Sequence, residues 1–130
     1  MEEYKQDYIN YRIVKADQAY NDARLLASGE SWNASVNRLY YACYYMVSAL
    51  LLQNEINTQT HSGCKMQFGL HFVKTGKISM EQARLYADLM DWRQKGDYGD
   101  MFDFDGQTVA PLFIPVEEFI KSIKMLIEKK

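Results

Sequence analysis

From Glu2 to Ser28, the residues Tyr4, Tyr8, Tyr11, Val14, Ala19, Ala23 and Leu26 recur at steps of three and four, the spacing of one helix face. Gly29 follows as a stop, so the pattern predicts a helix on the order of 40 Å long. The next segment, "SWNASVNRLYYACYYMVSALLLQN", runs to about Asn54 without an internal glycine or proline. Val36, Tyr40, Cys43, Val47 and Leu50 form one stripe on its wheel, and Tyr41, Tyr45 and Leu52 form a second that leads back to Arg38. A helix apolar on every side must be covered on every side, and a small bundle covers only about half. The surplus face is therefore expected to be a subunit interface.

After the polar turn "NEINTQ" a third, short helix is expected from Thr60 or Ser62 through Met66, Leu70 and Val73 until Gly76. The fourth opens on Ser79-Met80-Glu81-Gln82, a capping-box pattern, and continues through Ala83, Tyr86, Leu89 and Met90 to Arg93 and Gly96. A loop from Asp97 to Ile114 leads to Pro115 in the first turn of a last helix, with Val116, Phe119, Ile120, Ile123 and Ile127 along one side. Nothing alternates at period two, so the fold class is all-α.

The length of 130 residues suits one domain spanning 1–130. No window reads as a signal peptide or a membrane span, which points to a soluble, cytoplasmic protein without a membrane partner. In that setting Cys43 and Cys64 read as structural thiols. Fifteen basic against seventeen acidic residues give a formal charge of −2, so any contact with RNA must be local.

Several helical-bundle chemistries fail on the residues present. No glutamate has a histidine three positions on, as a di-iron bundle needs. The stretch "MFDFDG" places Asp103, Asp105 and Gly106 where a calcium loop has its third, fifth and sixth positions, but Met101 falls at the first and Leu112 at the twelfth. Glycine-rich phosphate loops and paired metal-ligand spacings are missing. No cofactor or metal is expected.

Four stretches in order carry a family resemblance: "NRLYYACYYMVSALL", then "THSG", then "FGLHFVKTGKIS", and finally Arg93 with Asp97-Tyr98. Over roughly residues 10 to 128 the chain resembles the HEPN superfamily, and within it the small stand-alone prokaryotic branch. The resemblance implies a four- or five-helix up-and-down bundle that forms a homodimer with its working surface at or beside the two-fold. It also implies a metal-independent ribonuclease or a nucleotide- or RNA-binding module, paired with a nucleotidyltransferase-like partner in toxin–antitoxin or defence systems. The family's ribonuclease motif is an arginine followed after four to six residues by a histidine.

Arg93 matches that arginine, but Tyr98, Gly99 and Asp100 stand where the histidine belongs. Cleavage of RNA by its own 2′-hydroxyl needs a group of near-neutral pKa and a cation for the phosphate. Tyrosine, with an ordinary pKa of about 10, starts roughly three decades down as a base. It remains able to donate a proton or stack on a nucleobase.

The stem of Arg93 lies beside the apolar stripe of Leu89 and Met90. It reads either as an ion pair with Asp97 one turn later or as a cation held for a ligand or for catalysis. Arg38 reads as an arginine satisfied by an acid in a core or interface, with a phosphate contact as the alternative. His61 begins helix 3 at the end of the bundle where helix 4 finishes. It either substitutes for the motif histidine or packs beneath a loop, whereas His71 sits on a packing helix. Tyr40, Tyr41, Tyr44 and Tyr45 read first as core and second as stacking platforms. A binding and partner-docking module ranks ahead of an RNA endonuclease working through Arg93, Asp97, Tyr98 and His61, because losing a positioned acid–base group costs about 10² to 10⁴ in rate.

Overall fold

The computed structural model describes residues 2–100 and 102–129. Met101, the first position of the calcium-loop comparison, and Lys130 lie outside the described residues. The elements are α1 (Glu2–Ser28), α2 (Trp32–Gln53), α3 (His61–Phe68), α4 (Met80–Tyr98), a one-turn α5 (Gly106–Val109) and α6 (Phe113–Glu128). Residues Gly69–Val73 extend α3 as a π-helical turn, and Ala110–Leu112 is a 3₁₀ turn. The fold is all-helical, with no strand among the described residues.

The central helix is α2, with twelve buried residues between Ser35 and Leu51. Its partners run up and down around it. Ser35 donates to the Ala23 carbonyl and Arg12 to the Ser48 carbonyl, which makes α1 antiparallel to α2. Asn33 reaches the Gly96 carbonyl and Asn37 the Asp97 carboxylate, so α4 is antiparallel as well. The last helix runs back beside α2, with Gln53 donating to the Ile127 carbonyl and Lys124 paired with Asp17. Val116, Phe119, Ile120, Ile123 and Ile127 are buried as the sequence predicts. Each large apolar side chain so buried stabilises the fold by about 1.5–3 kcal/mol.

Two predicted stripes are rotated. Tyr4, Tyr8, Tyr11 and Val14 face solvent, whereas Ala19 and Ala23 of the same predicted stripe are buried, together with Ile9 and Ala16. Three alanines let α1 lie close against α2, while the tyrosines keep their hydroxyls in water. In α3, Met66 and Leu70 are exposed and Cys64, Phe68 and Phe72 are buried. There Phe68 meets Tyr86 and Phe119 edge-on, with centroids 5.7 and 5.9 Å apart.

The ends of the helices refine the expected caps. Glu30, rather than Gly29, adopts the left-handed conformation after α1, with φ 60°. Its N–H bonds to the Ala27 carbonyl and that of Ser31 to the Leu26 carbonyl, a Schellman closure. Glu55 ends α2 in the same way. Ser79 caps α4 by accepting from the Gln82 N–H, but the Gln82 side chain donates to Ser122 in α6 instead of closing the capping box. The stretch expected to be loop from residue 97 to 114 is largely helical: α4 continues past Gly96 to Tyr98, and α6 starts at Phe113.

Candidate functional site

Asn33 and Asn37 lie one turn apart at the start of α2 and hold the end of α4. The Asn33 amide donates to the carbonyl of Phe102 at 2.9 Å and, at 3.3 Å each, to the Gly96 carbonyl and the Asp103 carboxylate. Its oxygen accepts the Phe104 N–H at 2.8 Å. A Cβ on Gly96 would come within 3.3 Å of the Phe104 ring and 3.5 Å of Asn33, so glycine serves close approach here and does not stop the helix. Asp105 caps α5 by accepting the Thr108 N–H. The acidic loop thus spends its carboxylates on local structure. Of "WRQKGDYGD", residues 92–98 form the last turns of α4, clasped to α2, and Gly99 caps it.

One turn before the clasp, Arg93 lies half-buried on tyrosines. Its guanidinium carbon sits 5.0 Å from the centre of the Tyr40 ring and 5.6 Å from that of Tyr41. Arg38 covers Tyr41 at 4.8 Å and donates through Nε to the Asn37 side-chain oxygen. Neither arginine forms an ion pair among the described residues. The Arg93 Nε is buried without an acceptor. Asp97 accepts from Asn37 at 2.9 Å instead of pairing with Arg93. Arg38 likewise meets an aromatic ring and an amide rather than the acid the sequence suggests.

His61 arrives at the same cluster from the first position of α3, behind its cap Thr60. Its ring lies against Tyr44 with centroids 4.3 Å apart, and its Nδ1 is 2.6 Å from the Tyr40 hydroxyl. Tyr40 is fully buried, and burial raises its pKa despite the nearby charge of Arg93. A neutral buried phenol needs an acceptor, and Nδ1 supplies it. The imidazole then carries its proton on Nε2. Desolvation lowers the His61 pKa, and the Arg93 charge lowers it further, so the ring is neutral at pH 7.

Residues 9–128 match the family model described as the HEPN domain. The chain belongs to the HEPN family. It is 38% identical over 124 residues to the UPF0332 protein of Thermotoga maritima, covering 95% of this chain and 94% of that one. It is 31% identical over 118 residues to a protein named "Putative toxin MJ0142" from Methanocaldococcus jannaschii, covering 90% and 80% respectively. It is also 36% identical over 100 residues to the UPF0332 protein glr0978 of Gloeobacter violaceus, covering 77% and 79%.

In this HEPN chain the fold brings Arg93, His61 and Arg38 to one group of tyrosines, with Asp97 tied to it through Asn37. Tyr98 is placed elsewhere. It lies about 140° around the helix from Arg93 at 3.6 residues per turn. It is 78% exposed and lines a shallow groove with Trp92 and Lys95. His71 is on the surface beside Gln67. Cys43 and Cys64 are buried free thiols, Cys64 within 3.8 Å of the Tyr86 hydroxyl. Sequence reasoning missed the hydroxyl of Tyr40 and the amides of Asn33 and Asn37. Their one-turn spacing on an otherwise apolar helix was the available signal. No described helix is long and apolar enough to cross a membrane.

Proposed function

We propose that this HEPN chain is a binding module that holds the phosphate of a nucleotide or of RNA between Arg93, Arg38 and His61. Arg93 carries the reading: a guanidinium laid on aromatic rings, with a buried Nε lacking an acceptor and no carboxylate paired to it among the described residues. The guanidinium groups of Arg38 and Arg93 lie 4.8 and 5.6 Å from the centre of the same Tyr41 ring, so two positive charges converge there. Arginine presents to phosphate a planar fork of donors that lysine lacks. The neutral His61 adds Nε2–H as a further donor.

In this reading the module acts as a homodimer with a nucleotidyltransferase-like partner in a toxin–antitoxin or defence setting. A toxin-named relative supports that setting. The half-buried Leu52 on α2, away from the arginine cluster and the tyrosines around it, supports the dimer. Titration of AMP and short RNAs by calorimetry tests the site. Arg93→Ala is expected to lower affinity at least tenfold for both, since a charge-assisted hydrogen bond contributes about 1.5–3 kcal/mol. Unchanged affinity would overturn the reading.

One observation favours a second reading, a metal-independent RNA endonuclease. His61 stands beside Arg93 with a depressed pKa and so offers a neutral imidazole next to a cation. For Nε2 to take a proton, the Tyr40 hydroxyl must rotate and accept from Nδ1–H, which a phenol can do. Labelled RNA incubated in EDTA with the wild type, His61→Ala and Arg93→Ala decides it. Cleavage lost in both variants would establish the endonuclease.

A further inference from the structure

The tyrosines that α1 turns away from the core do not stand in open solvent. Tyr8 and Tyr11, about 60% exposed, form one wall of a cleft of about 560 Å³ between α1 and α2. Arg12 and Lys15 line it from α1 as well, and Tyr44 and Tyr45 line it from α2. That volume falls within the roughly 300–1,000 Å³ of small-ligand sites.

The charges are arranged for an anion. Arg12 is anchored by donating from Nη1 to the Ser48 carbonyl at 3.1 Å. Lys15 lies over the Tyr11 ring, 5.7 Å from its centre. Neither forms an ion pair among the described residues, and Asp7 is the one carboxylate lining the cleft against these two cations. Tyr44 joins the cleft to the cluster at Arg93: its ring lines the cleft and also lies against His61, with centroids 4.3 Å apart.

We propose that this cleft is a base-stacking subsite. It receives the nucleotides of a single-stranded RNA that flank the phosphate held at Arg93 and Arg38. The inference rests on the anion-site reading above and extends it by naming the ligand's length and path. Exposed phenol rings beside unpaired cations match the two faces of a nucleotide: a flat base to stack and a phosphate to neutralise. An apolar partner helix would leave Arg12 and Lys15 without partners.

The test uses hexaadenylate RNA, followed by fluorescence anisotropy, and AMP, followed by calorimetry. Both are titrated against the wild type, Tyr8→Ala/Tyr11→Ala, Lys15→Ala and Arg93→Ala. Tyr8 and Tyr11 are exposed, so their removal leaves the core intact, and AMP binding reports that the variant is folded. The double variant is expected to bind hexaadenylate at least about fivefold more weakly, the lower bound for losing one base–aromatic stack, and AMP as before. Lys15→Ala is expected to reduce the slope of log affinity against log salt by about 0.7, one phosphate's worth on a single strand.

Hexaadenylate binding unchanged in the double variant, with AMP still lost in Arg93→Ala, would overturn the cleft and leave the anion site standing. AMP and hexaadenylate both unaffected by Arg93→Ala would overturn the anion site and the path with it. A change in mass by light scattering in the double variant would also overturn the proposal, assigning this face to a second copy of the chain.

Discussion

Replacing Arg93 by leucine removes the charge and keeps only the inner, apolar part of the stem along α4. The lost cation–π contact with Tyr40 and Tyr41, at 5.0 and 5.6 Å, contributes about 0.5–2 kcal/mol. Partial exposure of Arg93 places it toward the lower end. Against it stands the Arg93 Nε, a buried donor without an acceptor, whose burial costs about 1–3 kcal/mol. At the low ends of both ranges they differ by about 0.5 kcal/mol. Urea unfolding of Arg93→Leu is therefore expected to give a stability within about 1 kcal/mol of the wild type. With AMP at a hundred times its wild-type Kd the wild type should gain about 2.7 kcal/mol and the variant, at least tenfold weaker in affinity, no more than about 1.4 kcal/mol. An arginine that the fold can lose cheaply and the ligand cannot is held for the ligand. A loss above about 2 kcal/mol without AMP would show that Arg93 is structural and refute this reasoning.

Asn33→Ala removes the two short bonds to Phe102 and Phe104 that clasp α4 to α2, and is expected to cost about 2–3 kcal/mol by urea denaturation. A change under 0.5 kcal/mol would show that the clasp holds nothing. Glu30→Gly relieves a side chain held at φ 60° and is expected to stabilise the chain by about 0.5–1 kcal/mol in the same assay. His61 titrates below its ordinary 6.5 in the fold, so between that value and the folded pKa the unfolded chain binds more protons. Its contribution is fully present above 6.5 and is lost as pH falls through that window. The melting temperature should drop on acidification, and His61→Gln should flatten that dependence.

The helices were legible wherever one apolar stripe had no competitor. In α6 the residues from Val116 to Ile127 allow a single buried face, and in α2 the Val36–Leu50 stripe is buried whole. Two stripes competed in α1. Tyr4, Tyr8, Tyr11 and Val14 lead into Ala19 and Ala23 at the helical period as well as Ile9 and Ala16 do, and period cannot tell an amphipathic tyrosine from a core residue. In α3 the choice between Met66-Leu70 and Cys64-Phe68-Phe72 is the same ambiguity shifted by two residues. The neighbourhood of His61 and Arg93 follows from antiparallel helices alone, so the sequence could suggest it. What Arg93 touches could not be read, since Asp97 one turn on is the obvious partner and Asn37 takes it across the bundle. Gly96 misled for a related reason: glycine that admits a neighbouring helix looks, along a chain, like glycine that ends one.

An anion bound between Arg93 and His61 lies against the imidazole, whose pKa reports it. Its pKa, followed by NMR of the ring protons with and without saturating AMP, is expected to start below 6.5 and rise when AMP is bound. A phosphate beside the ring favours the charged form against the desolvation and the Arg93 charge that now disfavour it. In Arg93→Ala the free protein should already show the higher value, with no further rise on adding AMP. A wild-type pKa unmoved by bound AMP would contradict the account, because the ligand would then lie away from the cluster on which every step rests.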